Sequence, residues 1–483
     1  MNTAAWTFVA LLALITASGA LSVIRKRKTP RDYLVASREV APWLTALSTV
    51  ATNNSGFMFI GMIAYTYRLG IEAVWMMVGW ILGDLTAWFF IHPRVRRVAG
   101  KYKLNTLSEI LGINEKGQDR AVIIVAGLIT VVFLAVYAAG QLKAGSTALH
   151  ALFGWDMKVG ALIGTAIVIL YSFAGGIRAD IWTDAAQSFV MIVAMIMILG
   201  AGYLDVGGWH SLMNNLQAQD PALTEWFPEH PAFGLIPYLM GFMFAGYGAT
   251  GQPHLMTRLM AIKSVEAIKP ARLYYFLWYI PFFIASIGVG LYCRAIIPDL
   301  TSLPLAEGLQ EPTELALPVI TMELLPEIAV GLALAGLFAA TVSTADSQII
   351  VCSGAVTHDI NPRWRDSYLA SKLGTFSVTG FSLWIALYAP EGVFGLVLVA
   401  WSAMGASLGS VLLLRIFSQP IPTVTAILMM LSANVVVILW HLSEYDDQDI
   451  FKILPGFISA FVVYATWRWV VHPLCGGKGH NRR

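Results

Sequence analysis

Long apolar runs alternate with short polar connections along almost the whole chain. Thirteen runs of about 20 mostly apolar residues, the length a helix needs to cross a hydrocarbon core, fall near 5–24, 42–66, 72–92, 121–148, 158–177, 182–204, 233–257, 273–297, 328–356, 370–389, 392–415, 420–441 and 452–471. This pattern predicts an all-α membrane protein of about 13 transmembrane helices. The polar connections carry an orientation signal. Segments 25–38, 94–103, 258–272, 361–372 and the tail after Arg468 are basic and fall on one side of the alternation. Segment 205–232 holds Asp205, Asp220, Glu225 and Glu229 with no Lys or Arg, and 442–451 holds Glu444, Asp446, Asp447 and Asp449. By the positive-inside rule the N-terminus is expected outside and the C-terminus inside. No positive charge precedes the first run and Arg25, Lys26, Arg27 and Lys28 follow it. It is therefore expected to be a retained span rather than a cleaved leader.

Composition agrees and narrows the classes. The 483 residues are 57% hydrophobic and 12% charged, with a net charge of +2, whereas soluble proteins carry about 25% charged residues. A disordered chain, a disulfide scaffold and a nucleic-acid binder are excluded. Cys293, Cys352 and Cys475 form no CxxC pair, which gives no zinc site. Neither a Walker A sequence nor a dinucleotide glycine fingerprint occurs, so no ATP drive is indicated. No cluster of His, Cys or carboxylates offers a nucleophile and base, so the chain is not expected to be an enzyme.

Two apolar runs contain polar, helix-breaking interruptions. The second holds Ala51-Thr52-Asn53-Asn54-Ser55-Gly56-Phe57, and the seventh holds Gly246-Tyr247-Gly248-Ala249-Thr250-Gly251-Gln252-Pro253-His254. Polar residues at this depth are costly in lipid unless unwound backbone lines a cavity. The two runs lie five spans apart, in corresponding places of two halves that an odd span count inverts. Paired interruptions of this kind point to a secondary-transporter site; the plainer alternative is close packing of small residues. The ninth run adds Ala340, Ser343 and Thr344 on one helical face, with Ser347 a turn further, oxygen donors suited to a hard cation.

Several motifs are more specific: Gly251-Gln252-Pro253-His254 followed by Arg258, Tyr171-Ser172-Phe173-Ala174-Gly175-Gly176, Trp182-Thr183-Asp184, and Ala339-Ala340-Thr341-Val342-Ser343-Thr344. Through them the chain resembles the solute:sodium symporter family, most closely its sodium/proline symporter branch, over nearly its whole length. The resemblance implies a LeuT-like 5+5 inverted-repeat core with one extra N-terminal and two extra C-terminal helices. The implied division is 1–40 for the extra span and basic loop, 41–206 for the first repeat, 207–232 for an outside loop, 233–416 for the second repeat and 417–483 for the last two spans and tail. It also implies a sodium site from the carbonyls of Ala51, Asn54 and Ala340 and the hydroxyls of Ser343 and Thr344. Asp184, Asp346 and Ser347, near Ser343, would form a second sodium or proton site. Asn53, Ser55, Gly56, Phe57, Tyr137, Gln141 and Gln252 would line the substrate cavity.

The function so implied is import of a small organic solute across the plasma membrane, a bacterial inner membrane, by alternating access. Amino acids such as proline, or small carboxylates, are the expected solutes. Na+ is the expected coupling ion, with H+ as the alternative; a symporter-like membrane sensor is a further alternative. The expected partners are the solute and the lipid bilayer, with no nucleic acid and no ATP. Asn53, Ala245, Ala249 and Phe57 depart from the proline branch, which has Asp, Trp, Tyr and Trp there. Two alanines in place of aromatic walls lead us to expect a more open cavity. Lys143 and Asp346 are intramembrane charges outside the family plan. Asp184 and Asp346 are expected close together, relieved by sodium, a shared proton or a salt bridge to Lys143. Snorkelling to the outer interface is the other use open to Lys143.

Overall fold

The computed structural model describes residues 2–22, 35–115, 117–174, 177–365, 367–443, 445 and 449–473. The basic run Arg25–Lys28, Gly175 and Gly176 of the fifth-span motif, Glu444, Asp446 and Asp447, and Cys475 with the tail lie outside these residues.

The chain is mostly helical. Its helices are α1 (Thr3–Ser22), α2 (Pro42–Gly56), α3 (Met62–Leu69), α4 (Val74–Phe90), α5 (His92–Tyr102), α6 (Leu107–Leu111), α7 (Arg120–Phe153), α8 (Met157–Ala174), α9 (Ile177–Val206) and α10 (Trp209–Gln219). They continue with α11 (Leu235–Tyr247), α12 (Pro253–Ala261), α13 (Ile268–Ile296), α14 (Ala316–Leu324), α15 (Glu327–Gly354), α16 (Tyr368–Tyr388), α17 (Val393–Ile416), α18 (Thr423–His441) and α19 (Ile453–Thr466). Among the described residues, eight helical segments are long and apolar enough to cross a membrane. A single small hairpin among the described residues pairs β1 (Ile113–Asn114) with β2 (Gly117–Gln118).

Helix α15 is buried along almost its whole length and packs against α1, α7 and α9. Its Ala, Gly, Ser and Thr side chains permit that, because small residues let helices approach closely where lipid supplies no hydrophobic drive between them. The α4–α11 pair is packed the same way through glycines. A Cβ on Gly83 would overlap the carbonyl oxygen of Met243, and one on Gly246 would overlap that of Trp80, so each glycine admits the other helix's backbone. Large apolar side chains also crowd the perimeter: Leu204, Ile236, Leu277 and Leu428 are exposed. A chain solvated by lipid has no reason to hide them. The two ends of the bundle differ in charge. Arg94, Arg97 and Lys101 gather near the end of α17, while Glu311, Glu314 and Glu391 share cavities at the opposite end.

Candidate functional site

The first interruption is a real break in the helix. Ser55 adopts φ 44° and ψ −163° within α2, a conformation that side chains normally avoid. A π-helical segment, Phe57–Gly61, then leads into α3. The break diverts the Asn54 carbonyl to the Phe57 N–H. Gly56 is wedged against two other helices: a Cβ there would lie 2.6 Å from Thr341 Cγ2 and 2.7 Å from Ala144 Cβ. The Gly56 N–H donates to Gln141 Oε1 at 2.9 Å, and the Ser55 and Tyr137 hydroxyls are 3.5 Å apart. Tyr137 and Gln141 are one turn apart on α7, so both meet the break. The second interruption is a 3-10 turn, Gly248–Gly251, followed by extended Gln252 and then α12.

Three buried amides around these breaks have their orientation imposed by neighbours. Tyr275 donates its hydroxyl to Asp84 Oδ2 at 2.7 Å and so accepts from Asn53 Nδ2 at 2.6 Å, leaving Asn53 Oδ1 without a partner. Gln252 Nε2 donates to the carbonyls of Gly248 (3.2 Å) and Trp401 (2.9 Å), leaving Oε1 unmatched. Gln141 uses its oxygen on Gly56, leaving Nε2 unmatched. Unpaired buried polar atoms carry a large desolvation penalty, so their concentration marks a place completed by something polar.

Asp184 lies at the centre of a second cluster. It accepts from Ser48 (2.7 Å), Thr52 (3.1 Å) and Ser343. Arg258, fully buried on α12, places Nη2 2.7 Å from both Asp184 and Asp180 and Nε 2.8 Å from Ser48. Ser347 donates to Asp180 at 2.8 Å and lies 2.7 Å from the same guanidinium. Asp346 is buried within electrostatic reach of Asp180. Asp180 and Asp184 thus set two buried carboxyls around a single guanidinium, with Asp346 close by. The expected sodium ligands adjoin this cluster. Ser343 spends its proton on Asp184, so its oxygen lone pairs are free for a cation, and the Thr344 hydroxyl makes no hydrogen bond among the described residues. Ala51, Asn54, Ala340 and Thr344 are all buried, and α2 packs against α15. This oxygen-only donor set fits a hard cation such as sodium.

Lys143 is turned to the acidic end, where Nζ donates to the carbonyls of Ala389 (2.7 Å) and Glu391 (2.6 Å); the cation bonded to Asp184 is Arg258. The Trp401 indole donates to the Ala245 carbonyl at 2.8 Å. Phe57 stacks on Phe394 (5.7 Å), which stacks on Tyr65 (5.0 Å). This aromatic column separates the breaks from a cavity of about 580 Å³ lined by Tyr65, Arg68, Glu311, Glu314 and Phe394. Glu314 accepts from the Phe394 N–H at 3.1 Å, and burial pushes its carboxyl up to about 7.

Reading the sequence missed Asp84, Tyr275, Asp180 and the role of Arg258. A signal for Asp180 was present, since it lies one turn before Asp184 on the same face. Intramembrane Asp84 was likewise a functional candidate by its depth, whereas Arg258 fell in the basic connection 258–272, where a cation reads as an orientation signal.

Residues 33–432 match the sodium:solute symporter family. The sodium/proline symporter of Staphylococcus aureus (strain NCTC 8325 / PS 47) is 28% identical over 453 residues, covering 89% of this chain and 86% of that protein. A substrate-bound, outward-open sodium-coupled sialic acid symporter superposes with a TM-score of 0.75 at 22% identity, covering 97% and 98% of the two chains. The nucleobase-cation-symport-1 family transporter MHP1, in a closed conformation with bromovinylhydantoin, superposes with a TM-score of 0.56 at 14% identity over 91% and 94%. The fold is therefore that of LeuT-type sodium symporters. The chain belongs to the sodium:solute symporter family, multi-pass membrane transporters rather than enzymes, with sodium as the coupling ion.

Proposed function

We propose that this symporter imports a small polar organic solute, an amino acid such as proline or a small carboxylate, through a site at the α2 break. The observation that carries this is the meeting of Ser55 and Gly56 with Tyr137 and Gln141 beside unmatched amide atoms of Asn53, Gln141 and Gln252. Unwound amides at a helix break suit a carboxylate. The unmatched acceptors of Asn53 and Gln252 take N–H or O–H donors of the solute, and Phe57 supplies an apolar wall. Sodium is held by Ala51, Asn54, Ala340, Ser343 and Thr344, joining the broken helix to α15. Arg258 occupies the cation place beside Asp184 and Ser347. A second ion at Asp184, Asp346 and Ser347 therefore loads only where Arg258 has moved.

In this scheme the chain crosses a bacterial inner membrane thirteen times, with the N-terminus outside and repeats at 41–206 and 233–416. The acidic end faces outward and Phe394 closes the path from it. The test is uptake into proteoliposomes of labelled proline, N-acetylneuraminate and a panel of amino and carboxylic acids, with sodium and proton gradients imposed separately. Accumulation under the sodium gradient alone is expected. Uptake driven only by protons would overturn the sodium scheme, and binding without uptake under either gradient would favour a sensor.

A further inference from the structure

At the basic end of the bundle, where α4 and α17 stop and α18 begins, lies a cavity of about 850 Å³. Arg94, Arg97 and Lys101, spaced i, i+3 and i+7, bring one face of α5 to it, and Arg415 reaches it from the end of α17. None of these four cations makes an ion pair among the described residues. Glu115 is the one acid on the wall, and Asp119 stands within electrostatic reach of Arg415. Arg415 ties Nε to the Leu111 carbonyl at 3.0 Å, while its Nη2 is buried with no partner. Val98, Ile113, Ile416 and Ile421 give the cavity an apolar floor, and Tyr102 and Trp467 stand among its lining.

Solvated charges of one sign spread apart. Here three cations of one helix and Arg415 from a distant part of the chain converge on one concavity, and Arg415 has an unmatched buried nitrogen. A guanidinium fork matches the paired oxygens of a phosphate. The apolar floor and aromatic side chains suit an amphipathic ligand at a membrane interface, and basic pockets between spans bind anionic headgroups. We propose that this cavity binds the phosphodiester headgroup of an anionic phospholipid, tying α5, the α17–α18 link and the Trp467–Val471 segment together.

The test uses the full chain purified in detergent, with phosphatidylglycerol, phosphatidylcholine and inorganic phosphate as probes. Binding is read by native mass spectrometry and by the unfolding temperature. Phosphatidylglycerol is expected to bind and stabilise, with phosphatidylcholine and inorganic phosphate doing neither. In Arg97→Gln/Lys101→Gln, two exposed positions, phosphatidylglycerol affinity should fall roughly tenfold or more, given the attraction each basic residue adds near anionic lipid. Arg415→Gln should lower it independently. Equal binding of both lipids, or unchanged affinity in these variants, would overturn the proposal. Displacement of phosphatidylglycerol by millimolar phosphate, with equal stabilisation, would also overturn it in favour of a free-phosphate site.

Discussion

Arg258 holds a buried charge cluster together, since its guanidinium touches two carboxylates and two hydroxyls from three other helices. Removing one partner of a buried ion pair leaves an uncompensated charge. Arg258→Gln is therefore expected to destabilise the protein by about 3–5 kcal/mol, measured by denaturation in detergent. Adding Asp180→Asn should recover part of that loss. Thr344 offers a cleaner test of the cation site because its hydroxyl bonds nothing else among the described residues. Thr344→Ala keeps the helix intact, and loss of one ligand should raise the half-saturating sodium concentration roughly tenfold, about 1.4 kcal/mol. Ser343→Ala should do the same and also weaken Asp184. An unchanged sodium dependence in both would remove this site from the mechanism.

Glu314 gives a pH signature at the acidic end. Burial first, then Glu311, hold its carboxyl up at about 7, opposed by the Phe394 and Val393 backbone hydrogen bonds and by Lys143. A carboxyl raised above its ordinary value binds its proton more tightly in the fold. Its contribution to stability is present below the ordinary value of 4.5 and is lost as pH rises through about 7. The unfolding temperature should therefore drop across that window, and Glu314→Gln should flatten the drop.

Within α2, glycine and break do not coincide. Composition marks Asn53 to Gly56 as interrupted, yet the left-handed φ falls on Ser55 while Gly56 keeps φ −63°. Gly56 is small because Thr341 and Ala144 press on it, a packing requirement that residue order does not display. Gly56→Val should then abolish uptake at normal membrane abundance, by forcing α7 and α15 away from the break. Retained solute affinity in that variant would place the pocket elsewhere. The glycines of the second break tell the same story. Gly246, Gly248 and Gly251 all avoid positive φ and instead admit Trp80, Trp401 and Met404.

Across the whole molecule, the charge asymmetry between ends makes a topological prediction. Reporters fused after Arg483 should be active only in the cytoplasm, and a cysteine replacing Ser211 should react with an impermeant thiol reagent added outside. The opposite pattern would invert the assignment. The cavity lined by Glu311, Glu314 and Glu391 and the basic cavity at α5 then become the outer and inner faces of one transporter.

Much of this was legible in residue order. Apolar runs mark where helices form because a spanning helix satisfies its own backbone bonds. The two polar interruptions stand out because polar groups are costly at that depth, and the motifs place the chain in its family. Which charges meet was not legible. Arg258 meets Ser48 across 210 positions and Asp184 across 74, Asn53 meets Tyr275 across 222, and Lys143 finds carbonyls 246 and 248 residues away. Such pairings depend on how helices cross and how closely small residues let them approach. An amide's free end and a cation's partner are therefore properties of the packed bundle, since local sequence places a side chain on a helix face but not against its neighbour.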